Sequence, residues 1–160
     1  MLLFCAIMLP ILGSILIPLL PAKYLRLMEM VVMLVVLLTS VFALSAVITP
    51  PEGRFPIVLF VNNLSLSLRL DGLGRIFGGL VAVLWPMATL YAFEYMKDDP
   101  HPRTFFMFYT MTYGVTLGIA FSEDMLTMYF FYELLTLCTL PLVLHTRTRE
   151  AVLASRKYLY

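Results

Sequence analysis

Apolar residues in this chain come in long blocks separated by short polar links. The blocks cover Leu2–Leu20, Met30–Thr49, Gly74–Phe93, Thr104–Phe121 and Met125–His145. Each approaches the roughly 20 residues that a helix needs to cross a hydrocarbon core of about 30 Å. The links are Pro21–Arg26, the Pro50-Pro51 stop, the proline-broken Glu94–Arg103 and the acidic turn Ser122-Glu123-Asp124. Proline ends a helix readily because it lacks an N–H to donate. Pro10, Pro18 and Pro86 fall inside spans, which membrane helices tolerate. After a basic loop, Thr146–Glu150, a further helix opens at Ala151–Tyr160. Ten helical residues rise about 15 Å, half a bilayer, so either these turns lie along the interface or, as we expect, this is the first part of a longer protein. The fold class expected is therefore an all-α integral membrane protein of about five transmembrane helices plus the start of a sixth.

One segment follows another period. Leu64–Leu70 reads LSLSLRL, strict alternation, and Ile57–Val61 is a second β-rich run, with Asn62-Asn63 as a turn between them. Residues 57–70 read as a small hairpin outside the bilayer, because open strand edges cannot face lipid. An interfacial amphipathic helix is the alternative. The chain divides into two N-terminal helices (1–49), an outer loop with the hairpin (50–73), and helices 3 to 5 with the start of helix 6 (74–160).

Composition excludes several classes. Of 160 residues, 61% are hydrophobic and only 13% charged, with net charge +1. Soluble domains run near 45–50% apolar and about 25% charged, so a water-soluble enzyme core, a disordered tail and a nucleic-acid binder are disfavoured. Lipid and other membrane subunits are the expected partners, with no nucleic acid. Cys5 and Cys138 lie in apolar runs without metal-ligand spacing and read as small buried hydrophobes. No basic residue precedes the first block, so it reads as a retained span.

Basic residues give the orientation. Links after spans 1, 3 and 5 hold Lys23, Arg26, Lys97, Arg103, Arg147, Arg149, Arg156 and Lys157, eight of the eleven; the other side holds Arg54, Arg69 and Arg75. Cytoplasmic loops carry the Lys/Arg excess, which places the N-terminus and the hairpin outside a multi-pass cell (inner) membrane protein.

Glu133 carries the chemistry. It stands eight residues into span 5. At 1.5 Å per residue this is about 12 Å deep, near the bilayer centre. A carboxyl there is costly and marks a functional site by default. Hydrocarbon disfavours the ionised form and a nearby cation favours it. A group poised between the two states suits a proton relay. A neutral glutamic acid that only donates an interhelical hydrogen bond is the alternative.

Tyr129 and Thr136 share its helix face, and Tyr109, Thr112, Tyr113 and Thr116 form a similar stripe on span 4. Facing one another, these stripes would make a supporting polar path; otherwise they are interhelical glue. His145 at the inner end of span 5 is a possible relay at neutral pH or simply solvated. Glu123 and Asp124 suit the dipole at the start of span 5. Asp71-Gly-Leu-Gly74 reads as a cap for span 3.

The outer loop ending Leu68-Arg-Leu-Asp71-Gly-Leu, the span ending Tyr95-Met96, the aromatic span 4 and the run Tyr-Phe-Phe-Tyr-Glu133-Leu-Leu-Thr-Leu-Cys138 resemble the antiporter-like subunits. These are proton-translocating membrane subunits of respiratory complex I, with relatives in multisubunit Na⁺/H⁺ antiporters and energy-converting hydrogenases. The resemblance implies a subunit of an ion-translocating oxidoreductase, NADH:quinone oxidoreductase-like or hydrogenase-like, that is not itself catalytic in electron transfer. In that family a fifth-helix glutamate, here Glu133, tunes a lysine on a later helix. Lys157 looks like the basic entrance to a sixth helix and a possible inner-end relay. The family's partner lysine and second inverted repeat are not in this sequence. No cysteine or histidine set suits iron–sulfur or haem, so no cofactor is expected in this chain. The expected function is the N-terminal part of a proton (or Na⁺/H⁺) translocating subunit. A non-transporting scaffold or assembly subunit is the alternative, and a small stand-alone channel a third idea.

Overall fold

A computed structural model describes residues 2–20, 24–59 and 65–144. The described elements run α1 (Leu2–Leu16), a 3-10 turn (Ile17–Leu19), α2 (Leu25–Ile48), β1 (Phe55–Leu59), β2 (Ser65–Leu68), α3 (Gly72–Tyr95), α4 (Pro102–Ala120) and α5 (Met125–Val143). The chain is mostly helical, and the five expected spans correspond to α1–α5 with ends shifted by a few residues. The expected turn Asn62-Asn63, His145, the Thr146–Glu150 loop, Lys157 and the helix opening at 151–160 lie outside the described residues.

Among the described residues four helical segments have the length and apolarity to cross a membrane: Leu2–Leu19, Leu25–Ile48, Gly72–Tyr95 and Met125–Val143. The fifth helix, α4, is richer in Tyr and Thr. It packs against all four other helices, so its polar side chains meet protein more than lipid. Small residues allow the close approaches. A Cβ at Gly114 would meet the Ile7 carbonyl oxygen of α1 at 2.6 Å, and one at Gly118 would meet the Phe131 ring of α5 at 2.5 Å. The core between them includes Leu3, Ile7, Val32, Val36, Phe106, Tyr113, Leu117 and Phe121. Cys138 is buried as expected, whereas Cys5 is exposed on the outward side of α1.

The hairpin forms where the alternation predicts it. β1 and β2 are antiparallel, with Phe55 opposite Leu68 and a register shift between Pro56 and Val58. Gly53, at a φ of 100°, supplies the left-handed backbone on entry to β1. β2 is covered on both faces, since Leu66, Ser67 and Leu68 are all buried. The reason is a third, short partner: Leu68 bridges Ser122, and Arg69 N–H donates to the Phe121 carbonyl at 2.9 Å. The α4–α5 turn thus covers the free edge of β2 at Leu68.

Asp71 caps α3. Its carboxylate accepts from the Gly74 N–H at 2.6 Å. Gly74 is required here, because a Cβ would meet the Ala120 carbonyl oxygen. Arg75, at the mouth of α3, donates to the Val47 carbonyl at the end of α2 (3.1 Å).

Candidate functional site

The face of α5 that packs inward consists of Thr127, Phe131 and Cys138. Successive helical residues turn by 100°, so Glu133 points about 200° away from Phe131, to the far side of α5. It is exposed there on the surface of the chain. Tyr129, one turn earlier and also exposed, lies against its carboxylate through its hydroxyl. Thr136 stands near the same flank, with its hydroxyl donating to the Tyr132 carbonyl at 3.1 Å. An otherwise apolar helix therefore carries Tyr129, Tyr132, Glu133 and Thr136 on the side that no described element covers. Among the described residues no salt bridge involves Glu133.

The stripe on α4 turns elsewhere. Tyr113 is fully buried and its hydroxyl pairs with Ser40 of α2 at 2.7 Å. Its ring stacks on Trp85 of α3, centroids 4.9 Å apart and planes 8° from parallel. Tyr109 lies beside the same indole at 5.4 Å, and its hydroxyl is 3.4 Å from that of Thr89. Thr112 and Thr116 donate back to carbonyls of their own helix, Tyr109 and Thr112 respectively, at 2.7 Å each. The structure thus brings Tyr109 and Tyr113 together with α2 and α3, and not with Glu133. Of the residues named from sequence, Tyr129 alone reaches the Glu133 carboxylate; His145 and Lys157 are outside the described residues.

A second charged group went unassigned in the sequence beyond a dipole role. Glu123, in the α4–α5 turn, has a side chain only 6% exposed, paired with Arg54 before β1 and 3.9 Å from Arg69 after β2. Its neighbour Asp124 begins α5 but makes no side-chain cap; its carboxylate accepts from the Ser67 hydroxyl at 2.8 Å. The Ser67 N–H donates to Thr127 at 3.1 Å, and the Ser67 carbonyl accepts from the Glu123 N–H at 3.1 Å. The signal was present in sequence, since Arg54 and Arg69 and this acidic pair fall in links at the same end of the spans. Alternation and span length give no pairing between them.

Residues 59–106, from β1 through the start of α4, match the family described as NADH-Ubiquinone oxidoreductase (complex I), chain 5 N-terminus. Over 156 residues the chain is 25% identical to Na(+)/H(+) antiporter subunit A1 of Staphylococcus aureus, covering 94% of this chain. The chain is thus similar in sequence to an antiporter subunit over most of its length. The fold agrees. One chain of the membrane-bound sulfane sulfur reductase, an archaeal respiratory membrane complex, superposes with a TM-score of 0.75 over 98% of this chain at 20% identity. The chain spans 19% of the length of the staphylococcal protein and 33% of the archaeal one. Both matches extend over α5, the helix that carries Glu133.

Proposed function

We propose that this chain is the N-terminal part of an antiporter-like subunit that moves protons, or exchanges Na⁺ for H⁺, across a cell membrane. Glu133 is the relay carboxyl. The observation that carries the reading is its position: halfway along a membrane-length helix, on the face that no described element covers. A carboxyl at that depth does not rest against acyl chains without heavy cost. It calls for another helix over α5, bearing a cation or holding water, and relatives several times longer have chain to supply one. Tyr129 steadies the carboxylate from one turn away, while Tyr109, Thr112, Tyr113 and Thr116 brace the bundle behind it.

The partners are other membrane subunits of a complex that supplies the driving energy, and the surrounding lipid. No electron-transfer step is assigned to this chain, and no cofactor. The N-terminus and hairpin face outside, on the ground of the Lys/Arg asymmetry. His145 and Lys157 remain candidates for the inner end of the path.

The scaffold reading has one observation in its favour, the lack of a salt bridge to Glu133 among the described residues. Glu133→Gln separates the two, since it keeps size and polarity but cannot ionise. In vesicles carrying the assembled complex we expect lost proton movement with assembly intact. Normal proton movement would support the scaffold.

A further inference from the structure

The ion pairs that join the outer hairpin to the turn before the helix bearing Glu133 converge on one buried carboxylate. Glu123 stands between the strands and α5, with two guanidinium groups beside it: Arg54, 70% exposed at the entrance to β1, and Arg69, 62% exposed at the exit of β2. Neither buried oxygen, Oε1 nor Oε2, has a hydrogen-bond partner among the described residues, and both ion pairs fall on Oε1. The carboxylate is thus held by charge more than by hydrogen bonds. A buried carboxylate stripped of its paired cations is strongly unfavourable, so hairpin and turn must move together. Around this pair the contacts form a continuous clamp. The α4–α5 turn bridges to β2 at Ser122, Ser67 engages Glu123, Asp124 and Thr127, and Thr127 is fully buried on the inner face of the first turn of α5. Phe131, one turn further on the same inner face, is wedged against Gly118. A displacement of the hairpin therefore passes into the rotation of α5, and the rotation of α5 sets where the Glu133 carboxyl points.

We propose that Glu123 is a positioning residue through which the outer hairpin fixes the orientation of Glu133; this rests on Glu133 being the relay carboxyl. Arg54 and Arg69 act as its counter-charges from the two strands, side by side at the open end of the hairpin. The arrangement differs from a helix cap or dipole contact, because the charges that hold Glu123 come from another element and not from α5.

The test uses the full chain in its assembled membrane complex. Three variants are compared: Glu123→Gln, the pair Arg54→Gln with Arg69→Gln, and all three together. Two quantities are read, proton flux in vesicles and the rate at which a hydrophobic carbodiimide modifies Glu133. A fold-only role at the outer turn would leave the reactivity of a carboxyl about ten residues away unchanged. We expect intact complex, flux lowered about tenfold because the reacting group is misplaced, and a several-fold change in Glu133 modification. The triple variant should be no worse than either parent, since all three residues serve one contact. Wild-type flux and modification in the assembled variants would overturn the proposal. So would additive losses, or failure of all three variants to assemble. Glu133→Gln is run alongside. If it pumps normally, the relay reading itself fails; if it is inactive while Glu123→Gln is normal, only the positioning role fails.

Discussion

The Phe131 ring of α5 occupies the notch left by Gly118 of α4, so closely that a Cβ at 118 would stand 2.5 Å from the ring carbons. This contact sets which side of α5 is inward. With Phe131 turned to α4, Glu133 two residues on faces away from the bundle.

Gly118→Ala should therefore destabilise the bundle by overpacking, by about 1–3 kcal/mol. A second substitution, Phe131→Leu, should recover part of the loss by freeing space. Unfolding of the purified chain in mixed micelles measures both. Equal stability of Gly118→Ala and wild type would show that α5 is not seated on this notch.

The Ser40–Tyr113 pair offers a graded test of the bundle interior. Tyr113→Phe keeps the stack on Trp85 and loses only the hydroxyl contact, which costs about 0.6 kcal/mol in membrane interiors and at most about 1.7. Tyr113→Ala also empties a fully buried volume and should cost about 3–5 kcal/mol. Neither hydroxyl faces Glu133, so Tyr113→Phe should leave proton flux near wild type in the assembled complex. A loss as large as that of Glu133→Gln would place Tyr113 on the proton path.

Asp71 holds the first turn of α3 through the Gly74 N–H. Asp71→Ala should cost about 1 kcal/mol, and Asp71→Asn much less, because the amide oxygen still accepts that bond. The same unfolding assay compares them. Equal cost for the two would mean that charge, not the cap, is what matters at this position.

Orientation is tested by labelling. In a background with Cys5 and Cys138 replaced by Ala, a cysteine at Glu52 in the outer loop should react with a membrane-impermeant maleimide added outside intact cells. One at Asp98, in the link between α3 and α4, should react only after the membrane is opened. The reverse pattern would contradict the outward N-terminus.

Much of this architecture was legible along the chain. Length and apolarity mark α1, α2, α3 and α5, period-two alternation marks the hairpin, and Asp71 announces the cap of α3. The face of α4 was not legible. Tyr109 and Tyr113 lie at helical spacing that suits either the α5 side or the α2–α3 side. Only the close approaches at Gly114 and Gly118 decide it, by giving α1 and α5 the small-residue face and leaving the tyrosines to Trp85, Thr89 and Ser40. Glu123 was hidden for a related reason. Its position next to α5 suggested a dipole contact, and its arginines come from residues more than fifty positions earlier in the chain. Glu133 itself was visible because a carboxyl in an apolar run is conspicuous in one dimension; no described element covers it.

The central claim is that the Glu133 carboxyl passes between neutral and ionised forms while the complex works. Infrared difference spectroscopy of the energised against the resting complex, with Glu133→Gln as the control, reads this directly. We expect a protonated-carboxyl carbonyl band that appears or disappears on energisation in the wild type and is missing from the variant. Identical difference spectra in the carboxyl region for the two proteins would contradict the account.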